Sequence, residues 1–301
     1  MQTSSDVARG EGRNAPRARR SALFVPGDKP RALEKAAGLG ADVLILDLED
    51  AVAPASKAAA REAAHEAVAA WRGDAKEAEH VLRINALGDE HFGADIALAA
   101  AACPDVVLLP KVDSPAALRE ARAALDGAGY HGLVWAMIES PTAVLNLRLI
   151  AEMTSAARLA GLVAGTNDLG AALRCRFSGE RRDPLLPHLA QILLAARSAG
   201  LIALDGVYNE FSDPVGFQFQ AREARQMGFD GKTLIHPSQV EPANRAFSPS
   251  PQEVDWARMV VAAFDDSAQA GRGAIAIGGR MVERLHLGPA RAILAASGDR
   301  S

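Results

Sequence analysis

The chain has 301 residues, 49% of them hydrophobic, a formal net charge of -4 and a pI near 6.0. That length fits one large α/β barrel as well as two smaller domains, and the weak negative charge gives no general attraction to nucleic acid or an anionic membrane, so neither is expected as a partner. Only Cys103 and Cys175 occur, and neither lies in a CxxC pair; a disulfide framework and a zinc site are unsupported, and a reducing cytoplasm is the default location.

Residues 1–20 are polar and aperiodic and read as a disordered tail, with Arg17, Arg19 and Arg20 either a solvated arm or a reach toward an anionic ligand. No apolar centre of a signal peptide is present there, and no later run approaches the roughly 20 apolar residues of a membrane helix. From Ser21 strand-like and helix-like blocks alternate. SALFVPG is the first strand; Asp28 is a plausible N-cap and Pro30 a first-turn proline of the helix that follows. VLILDLEDAV is the second strand, running apolar to Asp47 and then into Glu49 and Asp50, with a helix over residues 56–71 behind it. HVLRINA carries Arg83 into the end of the third, before a helix over 89–101, and DVVLLPKV ends the fourth in Lys111. LVWAMIES and LAGLVAGTND, the fifth and sixth, end in Glu139 and Asp168; LIALDGVYN and GKTLIHPSQ complete eight, with a helix over 214–227 between them.

Eight apolar runs at this spacing predict an α/β fold, a (β/α)8 TIM barrel over residues 21–247, and argue against a doubly wound sheet, since neither GxGxxG nor GxxxxGK[ST] occurs. After the Ser248-Pro249-Ser250-Pro251 break, residues 248–301 form a C-terminal extension: a helix over 252–270, a hairpin turning at Gly278-Gly279, and a last helix, too little for a core of its own and therefore a lid or an oligomer contact.

A barrel gathers the C-terminal ends of its strands at one mouth: residues 26–29, Asp47, Glu49, Asp50, Arg83, Lys111, Glu139, Asp168, Asp205 and His236. Glu139 and Asp168, on neighbouring strands, are two hard oxygen donors of the kind Mg2+ takes, leaving its other positions to water and substrate; the alternative is that both are helix N-caps. With Arg83 opposite, such a site would hold a 2-oxo-acid, the guanidinium gripping its carboxylate in bidentate fashion. Lys111 reads as a solvated or ion-paired lysine rather than a Schiff base.

The blocks RSALFVPGDKPRALEKA, LILDLEDAVAP with Lys57 and Arg61 following, LRIN, MIES and GFDGKTLIHPSQV, in order over about residues 20–245, resemble the citrate lyase beta-subunit-like (CitE-like) branch of the HpcH/HpaI aldolase superfamily. The resemblance implies a TIM barrel, usually a homo-oligomer, that makes or breaks a C–C bond in a hydroxy-acyl thioester with Mg2+: citryl, malyl or citramalyl on coenzyme A or an acyl-carrier protein. It implies Glu139 and Asp168 as metal ligands, Arg83 as the catalytic arginine on the oxo-acid carboxylate, the amides of Gly165, Thr166 and Asn167 as the rest of that cradle, and Glu49 and Asp50 as acids beneath the metal that orient its waters. Two departures stand out. Where CoA-ester lyases of the family carry aspartate in a GxMxD lid segment, this chain has Gly279-Arg280-Met281-Val282-Glu283, so a working acid/base, a relic and a solvated hairpin residue all stay open for Glu283. The loop after Asp168 carries Arg174, Arg176, Arg181 and Arg182, which with Lys29 and Arg31 could grip the phosphates of CoA or a phosphopantetheine arm, or simply be solvated. His236 reads as structural, fixing its loop to Pro237 and the second strand. Alternatives to the lyase are an aldolase on a free 2-oxo-4-hydroxy acid, a malyl-thioester hydrolase, and a non-catalytic oxo-acid or thioester binder.

Overall fold

Eight apolar runs of four to six residues become the parallel strands β1 Ser21–Pro26, β2 Val43–Asp47, β3 Glu79–Arg83, β4 Val106–Leu109, β5 Leu133–Ile138, β6 Leu159–Ala164, β7 Ile202–Asp205 and β8 Gly231–Leu234. The computed structural model describes residues 17–71, 78–178, 181–266 and 273–297; most of the expected tail and the end of the expected 252–270 helix lie outside them. The strands pair in chain order and β8 returns to β1, closing the barrel that the eight-fold spacing predicts. Most read as apolar runs because both faces are covered, by barrel interior on one side and helices on the other, while β3 and β8 also bury Glu79, His80, Lys232 and Thr233. Ala22, Ile45, Val81, Leu108, Trp135, Met137, Val163 and Leu204 fill the interior.

The outer helices are α1 Pro30–Ala36, α2 Lys57–Trp71, α3 Phe92–Ala102, α4 Pro115–Gly127, α5 Pro141–Leu145, α6 Leu147–Ala151, α7 Thr166–Ala172, α8 Leu186–Ser198, α9 Pro214–Met227 and α10 Val240–Phe247. Proline opens several of them, where its missing N–H is not needed. Ser114, Ser140 and Asp213 cap α4, α5 and α9 by accepting first-turn N–H groups. Asp28 does not cap α1, whose N-cap is Lys29 with no side-chain hydrogen bond.

The start of the described chain is pinned, not free. Arg19 forks onto Glu79 at 2.5 and 2.8 Å, and Arg20 onto Asp42 at 2.8 Å. The carbonyl of Arg20 accepts the N–H of Lys232, and a Cβ on Gly231 would sit 1.8 Å from the Arg19 carbonyl oxygen, so only glycine lets the chain pass there. These residues precede β1 at the N-terminal ends of the strands, the far end of the barrel from the mouth. The reading of Arg19 and Arg20 as a ligand-reaching arm is thereby corrected.

The chain divides into two compact units, residues 1–246 and 247–301. The second comprises α11 Pro251–Asp265, an antiparallel hairpin of β9 Ala274–Ile277 and β10 Arg280–Glu283, and α12 Leu287–Ala296. Ala257, Val260, Phe264, Ile275, Val282 and Leu294 give it a small core of its own, correcting the expectation that this stretch is too short for one. Gly278 and Gly279 turn the hairpin at φ of 56° and 79°, a pair of left-handed positions that favours glycine.

Candidate active site

A cavity of about 390 Å³ opens at the C-terminal ends of the barrel strands, lined by Phe24, Asp47, Asp50, Arg83, Met137, Glu139, Gly165, Thr166, Asn167, Asp168, Val207, Thr233 and Ile235. Glu139 follows β5 directly and is 4% exposed. The backbone N–H of Lys111 donates to its Oε1 at 2.5 Å. Its stem lies flat on Gly165: a Cβ there would come within 2.3 Å of the Glu139 Cβ. Asp168, in the first turn of α7, is within hydrogen-bonding reach of Glu139. Neither acid is a helix cap, because Ser140 caps α5 and Gly165 occupies the N-cap of α7. Gly165→Ala is expected to leave the barrel folded, by circular dichroism, while displacing the Glu139 carboxylate. Calorimetry should then show Mg2+ affinity roughly ten-fold or more below wild type.

Arg83 reaches the same cavity from β3. Its Nε and Nη2 donate to the two oxygens of Asp47 at 2.7 and 2.5 Å, Nη1 lies 2.9 Å from Glu49 Oε2, and the guanidinium stacks 4.7 Å above the ring of Phe24. The bidentate edge expected for a substrate carboxylate is therefore already held by Asp47, which leaves Nη1 as the donor free of that grip. Burial opposes the charge of Arg83, but the hydrogen bonds and charges of Asp47, Glu49 and Asp50 outweigh it and hold the guanidinium above the ordinary arginine range. Lys111 closes the cluster with Nζ 2.8 Å from Glu49 Oε1, a contact that raises the ammonium as well.

Five carboxylates, Asp47, Glu49, Asp50, Glu139 and Asp168, thus meet two cations, Arg83 and Lys111. The imbalance shows at Glu139. Burial first, then the charge of Glu49 and the hydrogen bond and charge of Asp168, push its carboxyl up to about 8. Buried Glu139 and exposed Asp168 repel each other in a cluster short of positive charge, which a divalent cation would supply. Among the described residues no three His, Cys, Asp or Glu side chains gather as a ligand set. The fit is to a hard ion held by two carboxylates and water, not to zinc.

Asn167 lines the cavity and exchanges amide hydrogen bonds with Asn209 at 2.7 and 3.2 Å. Lys29, paired to Asp28 at 3.3 Å, and Arg31 are exposed at the start of α1, outside the cavity lining, as are Arg174 and Arg176 in the loop after α7. Arg181 is exposed and forks onto Asp183. Three expectations are corrected. Arg182 is 4% exposed and pairs with Asp205 at 2.6 Å and Glu223 at 2.9 Å, so it cannot serve as a solvent-facing phosphate grip. Asp205, expected at the mouth, is fully buried between Arg182 and Lys232, away from the cavity lining. His236 binds Ser238 and stacks 4.8 Å from the ring of Phe211, rather than reaching the second strand. Glu283 belongs to the second unit, exposed at the end of β10, where His286 Nδ1 accepts its backbone N–H.

Sequence reasoning missed the carriers of the acidic loop after β2. Lys57, 6% exposed, donates to the carbonyls of Leu48 and Glu49 and to Asn85 Oδ1, each at 2.7 Å. Asn85 in turn holds Asp95, which pairs with Arg61 at 3.0 Å. Lys57 and Arg61 stand one helical turn apart, four residues, behind LDLEDAV; that spacing was the available signal.

Residues 20–237 match the family described as HpcH/HpaI aldolase/citrate lyase. The chain is 42% identical over 276 residues to a (3S)-malyl-CoA thioesterase of Cereibacter sphaeroides, covering 92% of this chain and 93% of the relative. It is 36% identical over 286 residues to the citrate lyase subunit beta of Escherichia coli K12, with 92% and 93% covered. Among solved structures it is similar to protein CitE from Mycobacterium tuberculosis in complex with magnesium, acetoacetate and coenzyme A, with TM-score 0.76 and 36% identity over 93% of this chain and 98% of that one.

Proposed function

Since this chain belongs to the HpcH/HpaI aldolase/citrate lyase family, in its citrate lyase beta-subunit-like branch, we propose that it is a Mg2+-dependent carbon–carbon lyase. Its substrate is a hydroxy-acyl thioester of the malyl, citramalyl or citryl kind, released as an acyl thioester and a 2-oxo-acid. The observation that carries the reading is the adjacent pair Glu139 and Asp168, short of positive charge and lining one cavity with Arg83. The relatives' bound magnesium, acetoacetate and coenzyme A support the same choice of ligands.

Bound by Glu139 and Asp168, Mg2+ would supply Lewis acidity to the oxygens of the oxo-acid half. Arg83 presents Nη1, which it shares with Glu49 at 2.9 Å, to the substrate carboxylate, while Asp47 fixes the plane of the guanidinium. Glu49 and Asp50 keep the mouth acidic and orient water. In cleavage the substrate hydroxyl passes its proton to water held at the acidic mouth, the C–C bond breaks to leave the oxo-acid carbonyl, and the bonding pair becomes the enolate of the acyl thioester, whose alpha carbon takes a proton. Glu283 is the carboxyl we assign to that last transfer. The cavity of about 390 Å³ suits a small dicarboxylic acyl group, not a long chain. The carrier, CoA or an acyl-carrier protein, reaches it from outside, and the full chain is a homo-oligomer.

A second reading, hydrolysis of the thioester, is favoured by the 42% identity to a malyl-CoA thioesterase. Incubation of the Mg2+-loaded protein with malyl-, citramalyl- and citryl-CoA separates the two. Acetyl-CoA with an oxo-acid indicates the lyase; free thiol with the intact hydroxy acid indicates the hydrolase. Mg2+-dependent oxo-acid binding without either product would overturn both in favour of a binding protein.

A further inference from the structure

Lys111 touches both halves of the site without being one of its acids or its arginine. It follows Pro110 at the end of β4 with φ of 53°, one of four non-glycine residues with positive φ among those described. L side chains rarely adopt that conformation, and where they do the backbone is usually held by something that needs it. Here two contacts need it. The turn points the Lys111 N–H at Glu139 Oε1, 2.5 Å away, and sends the side chain back to Glu49, with Nζ 2.8 Å from Oε1. The other oxygen of Glu49 meets Arg83 Nη1 at 2.9 Å. One residue therefore ties the acid next to Asp168 through its backbone and the acid next to Arg83 through its ammonium.

We propose that Lys111 is a positioning residue that sets the spacing between the metal-binding carboxylates and the arginine of the substrate clamp. The proposal rests on the function proposed above. Its two contacts are separable. Glycine at 111 keeps the left-handed backbone at no steric cost and keeps the N–H, but removes the ammonium. Glu49 then has only Arg83 to pair with and competes with the substrate carboxylate for Nη1. A β-branched residue at 111 is strained at positive φ and loses both contacts.

The test is Mg2+ calorimetry on the full chain, followed by pyruvate and oxaloacetate titrations in saturating Mg2+, with circular dichroism to confirm folding. Lys111→Gly is expected to keep Mg2+ affinity near wild type and to weaken oxo-acid binding by roughly tenfold, the loss of about one charge-assisted contact. Lys111→Val is expected to weaken Mg2+ itself by about ten-fold or more, the usual cost of removing a group that orients a ligand. Lys111→Ala, smaller but still strained, replaces Val should that variant fail to fold. Lys111→Arg, which restores the positive charge, should recover oxo-acid binding relative to Lys111→Met. Equal loss of Mg2+ affinity in the Gly and Val variants, or unchanged oxo-acid affinity in the Gly variant, overturns the proposal while leaving the function standing. A wild-type chain that binds no Mg2+ overturns both.

Discussion

Asp168→Asn is expected to abolish Mg2+ binding by calorimetry and to lower turnover of the preferred thioester by at least about three powers of ten, since a bound Lewis acid contributes several kcal/mol to such a barrier. Glu139→Gln should match it in turnover and add a pH signature. The folded metal-free protein holds the Glu139 carboxyl up at about 8, against an ordinary value of 4.5. Between those limits the folded state keeps a proton that the unfolded chain has released, so Glu139 favours folding below about pH 4.5 and that contribution is lost as pH rises through about 8. Melting temperatures of the metal-free wild type should decline from pH 5 to 8 relative to Glu139→Gln, the gap widening with pH. Because Mg2+ needs the ionised carboxylate, its apparent affinity should fall by up to tenfold per unit as pH drops below about 8. Parallel melting profiles for the two proteins would mean that Glu139 is not the strained group.

The largest expected loss of stability lies outside the site. Asp205, fully buried, takes Arg182 at 2.6 Å and Lys232 at 2.7 Å, and Glu223 takes the other side of Arg182 at 2.9 Å. Burial pushes the Lys232 ammonium down to about 8, while Lys232 and Arg182 together overcome burial and hold the Asp205 carboxyl below its usual range. Asp205→Ala strands two buried cations and is expected to cost on the order of 3–5 kcal/mol in urea unfolding. The double change Asp205→Asn with Lys232→Met removes charges of both signs and should recover most of that loss. A single variant within about 1 kcal/mol of wild type would mean that the barrel does not depend on this network.

The barrel was legible because strands covered on both faces show as largely apolar runs, and eight of them at regular spacing admit few topologies. The same lack of alternation hid which way each strand-end residue points. Glu139 and Asp205 both close a strand beside turn residues and look alike in the sequence. In the structure Met137 and Leu204 face the barrel interior; Glu139, two residues beyond Met137, shares its side, whereas Asp205, one residue beyond Leu204, takes the opposite one. Parity likewise puts Asp47 with Ile45 and Arg83 with Val81, which is why the arginine meets an acid inside the barrel before any substrate does. Lys111 was hidden for a different reason: its role lies in a backbone dihedral, and nothing in PKVD marks a left-handed lysine. Arg182 was misread because four arginines in one loop suggest a solvated patch, and only tertiary packing selects one of them for burial.

The pairing of β8 with residues ahead of β1 bears on where the chain tolerates shortening. Arg19 and Arg20 act as a latch beside the β1–β8 joint, passing over Gly231 and Lys232 of β8 while anchoring to Glu79 and Asp42. Proteolytic trimming up to residue 16 spares that latch. Four residues more would remove the latch and the carbonyl that Lys232 donates to, leaving Ser21, Ala22 and Leu23 of β1 to hold β8 by their own ladder.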